Sequence, residues 1–262
     1  MDLAFLGMAK IEVFLLTLVR TASIFTAAPL FGSRQVPVQV RIVVALGIAL
    51  ALVPLCSAGQ NRLLASDTLS MSLLIVKEII VGLVVGFITA MVFAAIQMAG
   101  DLIDMHAGFS FATMLDPTMG APSAIAARFH HLLAGTLFFV TNSHHILLQG
   151  LADSFRLVPV DRILLNPSVA GGMVDMFVVL FGVALRIAAP VVAAVFLADI
   201  SLVIMARVVP QMNVLMVGFP LKLGVGIVGM LVALPVAVAL CGNAFGDIGR
   251  HTTAMLRLLA AP

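Results

Sequence analysis

The residues of this sequence whose types could do chemistry are its histidines, which include two adjacent pairs. His130-His131 and His144-His145 lie fourteen residues apart. On one helix this spacing puts both pairs near the same face but about 21 Å apart along the axis, so the pairs cannot share a metal ion without a chain reversal. A proton relay stays open because histidine titrates near neutral pH, but no aligned carboxylate supports it. The pattern favours solvated helix ends or satisfied interfacial histidines over metal ligands, and we predict no metal site.

A second candidate for chemistry is the pattern G-x-G-x-x-G formed by Gly224, Gly226 and Gly229. The pattern binds a dinucleotide when it joins a strand to a helix in a βαβ unit, whereas here it follows Pro220 and continues into an apolar run. No nucleophile elbow, H-E-x-x-H motif or P-loop occurs. We therefore predict neither a cofactor nor enzymatic activity. The lone cysteines, Cys56 and Cys241, indicate neither a disulfide framework nor a metal site.

Composition sets the class of protein. The 262 residues are 62% hydrophobic and 10% charged, with a mean hydropathy of +1.21, far from the balance of soluble domains. This composition is typical of an integral membrane protein or of a component of a membrane-associated assembly. A net charge of +2 without a basic cluster argues against nucleic acid as a partner. No polar block is long enough for a soluble domain, so we expect residues 1–262 to form a single domain.

The apolar runs predict an all-α, polytopic fold with about six helical segments near the length that crosses a bilayer. They run over Val13–Phe31, Ile42–Cys56, Ile79–Met98, Phe129–Leu148, Met173–Ile200 and Val214–Leu240. The first run is too long for the apolar part of a signal peptide, and we expect it to be retained. Within the third, Gly82 and Gly86 form a small-xxx-small pair that lets another helix approach closely.

The sequence also predicts a joint between helices, where prolines, amides and a lysine interrupt the last apolar stretch. In lipid, a broken backbone needs protein or water to satisfy its polar groups, so we expect this joint to be packed. Its members are Pro210, Gln211, Asn213, Gly218, Phe219, Pro220 and Lys222.

Several charged residues fall in or beside apolar segments, where each costs about 2.5–3.5 kcal/mol in the centre of a lipid-exposed helix. The candidates for buried charges are Glu78, Arg186 and Asp199, and Arg20, Lys77, Asp175 and Lys222 share the same setting. The chain has no Trp and no Tyr, the residues that membrane proteins place at the lipid surface. Both features indicate that much of the surface meets protein.

An apolar segment rich in glycine and proline lies between two helical runs, at residues 106–123. Its sequence, HAGFSFATMLDPTMGAPS, disfavours a continuous helix but carries Phe109, Phe111, Met114, Leu115 and Met119. Such a segment should be buried. Two interpretations stay open at this point: a re-entrant turn packed on its own helices, or a hydrophobic constriction that excludes water and ions.

The ordered motifs of the chain resemble the FliR family of type III secretion export-gate proteins. PQMNVLMVGFPLK, at Pro210 to Lys222, is similar to the family signature, and agreements occur in RTASIFTAAPLFGSRQVPVQVRI, KEIIVGLVVGF, GFSFATMLDP, TNSHHILL and SFRLVPV. Together they extend over nearly the whole chain.

This resemblance implies a bacterial inner-membrane protein of the flagellar basal body, displaced toward the periplasmic side. It implies assembly with FliP and FliQ homologues into a helical gate through which unfolded flagellar subunits pass, beside FlhB and FlhA homologues. The matching loop, Gly108 to Pro122, is implied to supply part of a hydrophobic plug, with Phe109, Phe111, Met114 and Met119 as its side chains. No cofactor is implied.

Three alternatives stay open from the sequence. An injectisome export-apparatus homologue shares the architecture, although Gly218 to Lys222 has a more flagellar form. A stand-alone secondary transporter would bind a small solute at a broken helix and predicts a matching break in the first half, for which we find no convincing partner. A purely structural scaffold would tolerate polar residues at Phe109 and Phe111.

Overall fold

A computed structural model of the chain describes residues 3–32, 36–56, 67–109, 124–160, 166, 168–211 and 213–260. These residues form helices, and the described part contains no strand. The helices are α1 (Leu3–Ala27), α2 (Val38–Cys56), α3 (Thr68–Ala107), α4 (Ile125–Val140), α5 (Ser143–Leu157), α6 (Ser168–Val208), α7 (Val214–Gly246) and α8 (Ile248–Ala260). The predicted all-α fold is confirmed.

Fewer stretches reach membrane-spanning length and hydropathy than the sequence predicted. Within the described residues there are four, namely α2, α3, α6 and the stretch Met216–Ala260. The prediction of one helix over Phe129–Leu148 is wrong, because the chain turns at Thr141 and Asn142. Asn142 adopts a left-handed conformation with φ 57°, which separates α4 from α5. Every 18-residue window of α1 contains Lys10, Glu12 and Arg20, so α1 is too charged for this group.

The chain divides into two compact units, which we describe separately. The first unit comprises Met1–Met91, Asn142–Phe177 and Gly246–Pro262, and the second comprises Val92–Thr141 and Val178–Phe245. Three helices, α3, α6 and α7, contribute residues to both units.

In the first unit, α3 lies directly against α1. A Cβ atom added to Gly82 would lie 2.6 Å from the carbonyl oxygen of Arg20, and one added to Gly86 would lie 2.7 Å from that of Ile24. A larger residue at either position would push the two backbones apart. The small-xxx-small pair therefore lies at the closest approach of these helices. At the start of α3, the Asp67 carboxylate accepts a hydrogen bond of 3.0 Å from the Ser70 N–H, and hydrogen bonds from Ser70 hold the pKa of Asp67 below its usual range.

A fully buried cluster of charges ties α1 and α3 to the end of α5. Arg20 and Lys77 both pair with Glu78, and the side chains of all three are inaccessible to solvent. Arg20 also donates to the Ser154 hydroxyl at 3.1 Å and to the Val158 carbonyl at 2.9 Å. A buried charge is tolerated when partners satisfy it, and this cluster supplies those partners within the chain.

Two polar helices complete the first unit. Helices α5 and α8 pack together, with Leu147 and Leu151 of α5 and Leu256 and Leu259 of α8 buried. Their ion pairs, Arg156 with Asp153 and Arg250 with Asp247, are exposed. This part of the protein has the amphipathic pattern of helices that face water on one side.

In the second unit, α6 and α7 form an antiparallel hairpin. Gly218 faces Leu202, Lys222 pairs with Asp199, and Gly229 faces Val191, so α7 runs back along α6 in constant register. Helix α6 ends at Val208 and α7 begins at Val214, and α7 continues as a helix through Pro220 and Pro235.

An aromatic cluster lies elsewhere in the second unit. The ring centroids of Phe93 and Phe138 are 5.5 Å apart, and the Phe245 ring lies 5.2 Å from that of Phe93 and 5.6 Å from that of Phe138. These distances are typical of packed aromatic pairs. The cluster holds α3, α4 and α7 together.

Candidate functional site

The candidate site comprises two places: the end of α3, after which the apolar segment begins, and the start of α4, before which it ends. Gly108 and Phe109 belong to the described residues, and Phe111, Met114 and Met119 lie outside them. The side chains that flank the segment show how the chain holds its two ends.

The first end is set by Gly108, which follows the last residue of α3. Its φ of +80° is a left-handed conformation that ends a helix and strongly favours glycine. A Cβ atom added to Gly108 would lie 3.6 Å from Cε2 of Phe219 on α7. The chain therefore turns out of α3 directly beside a residue of the signature sequence.

Phe109 anchors the same end. Its side chain is only 5% exposed, and it lies over Gly226 of α7, where an added Cβ atom would be 3.5 Å from Phe109 Cε2 and 2.7 Å from Ala107 Cβ. Because Gly226 has no side chain, Ala107 and Phe109 can both pack closely against α7 at this position. Gly226, one of the glycines in the pattern that resembles a dinucleotide site, therefore serves helix packing.

The second end is held by a buried carboxylate on α3. Asp104 accepts hydrogen bonds from the backbone N–H groups of Ala126 and Ala127 at 2.8 Å and 2.9 Å. These residues begin α4, whose N-cap residue, Ala124, has no side chain that could accept such bonds. The first N–H groups of a helix lack intrahelical partners and attract negative charge. Asp104 thus performs the capping from a neighbouring helix.

Close backbone packing reinforces this attachment. A Cβ atom added to Gly100 would lie 2.4 Å from the Cα atom of Ala127. Gly100 precedes Asp104 by one helical turn, so the two residues lie on one side of α3. The side of α3 that faces α4 therefore fixes the point at which the apolar segment returns to regular structure.

The structure brings part of the signature sequence to this site. Gly218 packs on Leu202, Phe219 lies beside Gly108, and Lys222 pairs with Asp199 at 3.0 Å. Pro210, Gln211 and Asn213 are exposed in the turn of the hairpin, and Pro220 is exposed on α7. The signature thus combines a turn with a helix face that contacts the start of the apolar segment.

The predicted charged residues have different surroundings. Glu78 is buried in the first unit, whereas in the second unit Arg186 is exposed and the Asp199 side chain is 40% exposed beside Lys222. The histidine pairs lie on different helices, α4 and α5. Among the described residues, no group of three or more His, Cys, Asp or Glu side chains is arranged to hold a metal ion.

Sequence reasoning missed the two residues that hold the ends of the segment most directly. Asp104 is a lone carboxylate near the end of an apolar helix, four residues before Gly108. This position is the feature of the sequence that could have indicated its role. In the sequence, Gly226 stands out only as part of the pattern that resembles a dinucleotide-binding site. Its role depends on α7 lying against the end of α3, which periodicity within one helix does not predict.

Comparison with known proteins identifies the family. A family model described as bacterial export proteins, family 1, matches residues 11–248. The flagellar biosynthetic protein FliR of Bacillus subtilis (strain 168) is 38% identical over 237 residues, which cover 88% of this chain and 90% of the relative. FliR of Aquifex aeolicus (strain VF5) is 30% identical over 244 residues, with 90% of this chain and 92% of the relative covered. FliR of Escherichia coli (strain K12) is 29% identical over 231 residues, with 88% and 87% covered. The chain therefore belongs to family 1 of the bacterial export proteins, together with the flagellar biosynthetic protein FliR.

Proposed function

We propose that this chain is a subunit of the flagellar type III protein export gate in the bacterial inner membrane. In this proposal it assembles with FliP and FliQ homologues into a channel for unfolded flagellar subunits, next to FlhB and FlhA homologues. Membership of the export family over residues 11–248 is the observation that carries the proposal. Helices that are long and apolar enough to cross a membrane support the location.

The apolar segment Gly108 to Pro122 is proposed to form part of the plug that closes this channel. A gate of this kind needs an apolar surface that excludes water and ions at rest and ends that stay in place while the middle is displaced. The packing of Phe109 on α7 and the Asp104 hydrogen bonds to α4 support fixed ends. Phe111, Met114 and Met119 would then line the seal, with methionine adapting to different substrates.

Phe109 contributes to this gate as an anchor. Because α7 already covers its ring within the chain, truncating Phe109 should loosen the first end of the segment. Truncating Phe111 should act on the seal itself. Replacing both residues by Ala should therefore raise the ion leak of the assembled complex.

The turn of the α6–α7 hairpin is proposed to contact partner subunits. Val208 is 75% exposed and Met216 is 74% exposed on its two flanks, and Pro210, Gln211 and Asn213 are exposed between them. Exposed apolar groups at the end of such a hairpin are typical of a protein interface. The joint, which the sequence predicts to be packed, would then pack against partner subunits in the assembly.

The flagellar system is favoured over the injectisome because each of the three relatives compared above is named a flagellar biosynthetic protein. A solitary solute transporter finds less support, since α7 is a continuous helix through Pro220 and the hairpin turn lies outside it. The scaffold alternative predicts that polar residues at Phe109 and Phe111 leave the leak unchanged.

Affinity purification of the full chain from membranes, followed by mass identification of its partners, tests the proposed assembly. We expect FliP and FliQ homologues to be recovered together with the chain. Recovery of the chain alone, stable and able to transport a small solute in liposomes, would contradict the assembly.

A substitution at the signature sequence sharpens this test. In Gly218→Val, the new side chain would meet Cδ1 of Leu202 at 3.0 Å from its Cβ atom, and the end of a leucine side chain can shift. The chain itself should therefore still fold, while recovery of the partners should fall. Unchanged recovery of FliP and FliQ homologues would remove Gly218 from the interface.

A further inference from the structure

The α6–α7 hairpin carries an open apolar groove along one side, entirely within the second unit. It has a volume of about 700 Å³, and the described residues that line it are all Pro, Ala, Gly, Leu or Val. Pro190 and Ala194 contribute the α6 wall, and Gly224, Val228 and Val232 lie along the α7 wall at successive turns. Small residues create the groove, because their side chains leave the space between the helices unfilled.

A cation lies on α6 just before the first residue of that helix that lines the groove. Arg186 precedes Pro190 by one helical turn, as Pro190 precedes Ala194, so the three residues follow one side of α6. Arg186 is exposed, and no ion pair joins it to another described residue. Proline has no N–H to donate to the carbonyl four residues earlier, so Pro190 also leaves the Arg186 carbonyl without its helical donor.

The spacing of arginines on α6 matches the thickness of the hydrocarbon core of a bilayer. Arg186 and Arg207 are both exposed and bracket an apolar stretch whose length is about 31 Å at 1.5 Å per residue. The hydrocarbon core of a bilayer is about 30 Å thick. The charge between them, Asp199, pairs with Lys222. The part of α6 between the two arginines therefore matches the thickness of the core, and Pro190 and Ala194, which form the α6 wall of the groove, lie within this part.

We propose that this groove binds one anionic phospholipid, with its phosphate on Arg186 and an acyl chain along Pro190, Ala194 and Gly224. The apolar lining suits a hydrocarbon chain, and the guanidinium suits a phosphate, with which it forms paired hydrogen bonds. A headgroup hydroxyl can donate to the Arg186 carbonyl. The proposal goes beyond the export role and requires only that the hairpin enters the bilayer before or during assembly.

A helix of a partner subunit that carries a carboxylate is the competing occupant. The lipid is favoured because the cation lies on the groove side of α6, one turn before the first lining residue of that helix, while the described lining residues offer no polar side chain.

Native mass spectrometry of the purified assembly, after exchange into micelles with equal phosphatidylglycerol and phosphatidylcholine of matched acyl chains, tests the proposal. We expect the wild type to retain phosphatidylglycerol in about fivefold preference, as one interfacial arginine contributes about 1 kcal/mol. Arg186→Gln should abolish that preference, and Ala194→Leu should reduce the retained lipid by one molecule because leucine fills the groove.

The controls are Arg207→Gln, which removes the other bracketing arginine, and Ala193→Leu, which enlarges an exposed neighbour of Ala194 that does not line the groove. Both should retain lipid like the wild type. Equal retention of the two phospholipids by the wild type, or equal losses in the controls, would overturn the proposal. A photo-reactive amino acid placed at position 228 should crosslink to lipid, and crosslinking to a partner protein instead would assign the groove to a helix.

Discussion

A cluster of charges in one part of the molecule and an ion pair in another have opposite surroundings. In the first unit, Glu78 joins Arg20 and Lys77, and all three side chains are inaccessible to solvent. In the second unit, the Asp199–Lys222 pair on the α6–α7 hairpin keeps side-chain exposures of 40% and 27%. The first cluster is complete within the chain, whereas the hairpin leaves charged and apolar groups uncovered.

This difference separates what the chain stabilises by itself from what its surroundings must complete. In the most apolar 18-residue stretch of α3, 67% of the residues are buried, whereas in the corresponding stretch of α6 28% are buried. Groups enclosed in the chain should therefore decide its folding. Groups on the hairpin should decide assembly and contact with lipid. This division predicts that substitutions of enclosed groups lower the stability of the chain more than substitutions on the hairpin.

Removing Glu78 should have the largest effect. Glu78→Ala leaves Arg20 and Lys77 buried without their carboxylate, and breaking a buried pair in this way costs about 3–5 kcal/mol. We expect loss of folded protein, measured by far-UV circular dichroism on heating in detergent. Asp153→Ala, which breaks an exposed pair in the same unit, is the control and should change the free energy of unfolding by less than about 1 kcal/mol. Equal losses of stability in Glu78→Ala and Asp153→Ala would contradict the difference between enclosed and exposed ion pairs.

Removing Asp104 should have the next largest effect. Asp104→Ala removes the acceptor of two N–H groups at the start of α4. A hydrogen bond to a charged group contributes about 1.5–3 kcal/mol, but water that enters the space left by the carboxylate can replace part of both bonds, so the net cost should stay below that of Glu78→Ala. We expect lower thermal stability and, in assembled complexes, a raised ion leak. The matched control is Asp101→Ala, an exposed carboxylate one turn earlier on α3. A leak unchanged by Asp104→Ala but raised by the phenylalanine substitutions would limit Asp104 to folding.

Enlarging Gly86 should destabilise the first unit moderately. A Cβ atom there would lie 2.6 Å from Ala27 Cβ and 2.7 Å from the Ile24 carbonyl oxygen, and overpacking costs about 1–3 kcal/mol. Gly86→Ala should therefore lower the unfolding temperature. Gly182→Ala, in open space on α6, should leave it unchanged or raise it, because alanine favours helix. A stabilising Gly86→Ala would show that α1 and α3 are less closely packed than described.

Breaking the hairpin pair should have the smallest effect on folding. Lys222→Gln removes a partly exposed ion pair, which contributes about 0–1 kcal/mol. We expect nearly unchanged unfolding together with reduced recovery of partner subunits. A loss of stability as large as that of Glu78→Ala would mean that the hairpin pair belongs to the folding core.

The sequence predicted the class and several elements of this fold because composition and apolar runs constrain them directly. It identified α2, α6 and α7 to within several residues at each end but only the middle of α3, and it placed an interruption at Pro210. It did not predict the separation of α4 from α5, because the left-handed Asn142 lies between two runs of similar hydropathy. It also did not predict the Asp104 hydrogen bonds, since these depend on two helices meeting at a particular level.

The single-domain organisation, the plug side chains and the partner joint stay predictions. For Phe111, Met114 and Met119, the segment lies outside the described residues. For Pro210, Gln211 and Asn213, exposure in the single chain indicates where a partner would act and leaves its identity to experiment. The sequence alone could name these residues through family resemblance, but it could not supply their neighbours.

Ion conductance across planar bilayers tests the central claim, that the apolar segment seals a polypeptide channel, most directly. Wild-type assemblies should be closed, and those with Phe109→Ala and Phe111→Ala should conduct ions while retaining all their subunits. Phe196→Ala, at an exposed position on α6, should stay closed as a control. Assemblies of the double variant that are intact and as tightly closed as the wild type would contradict the account.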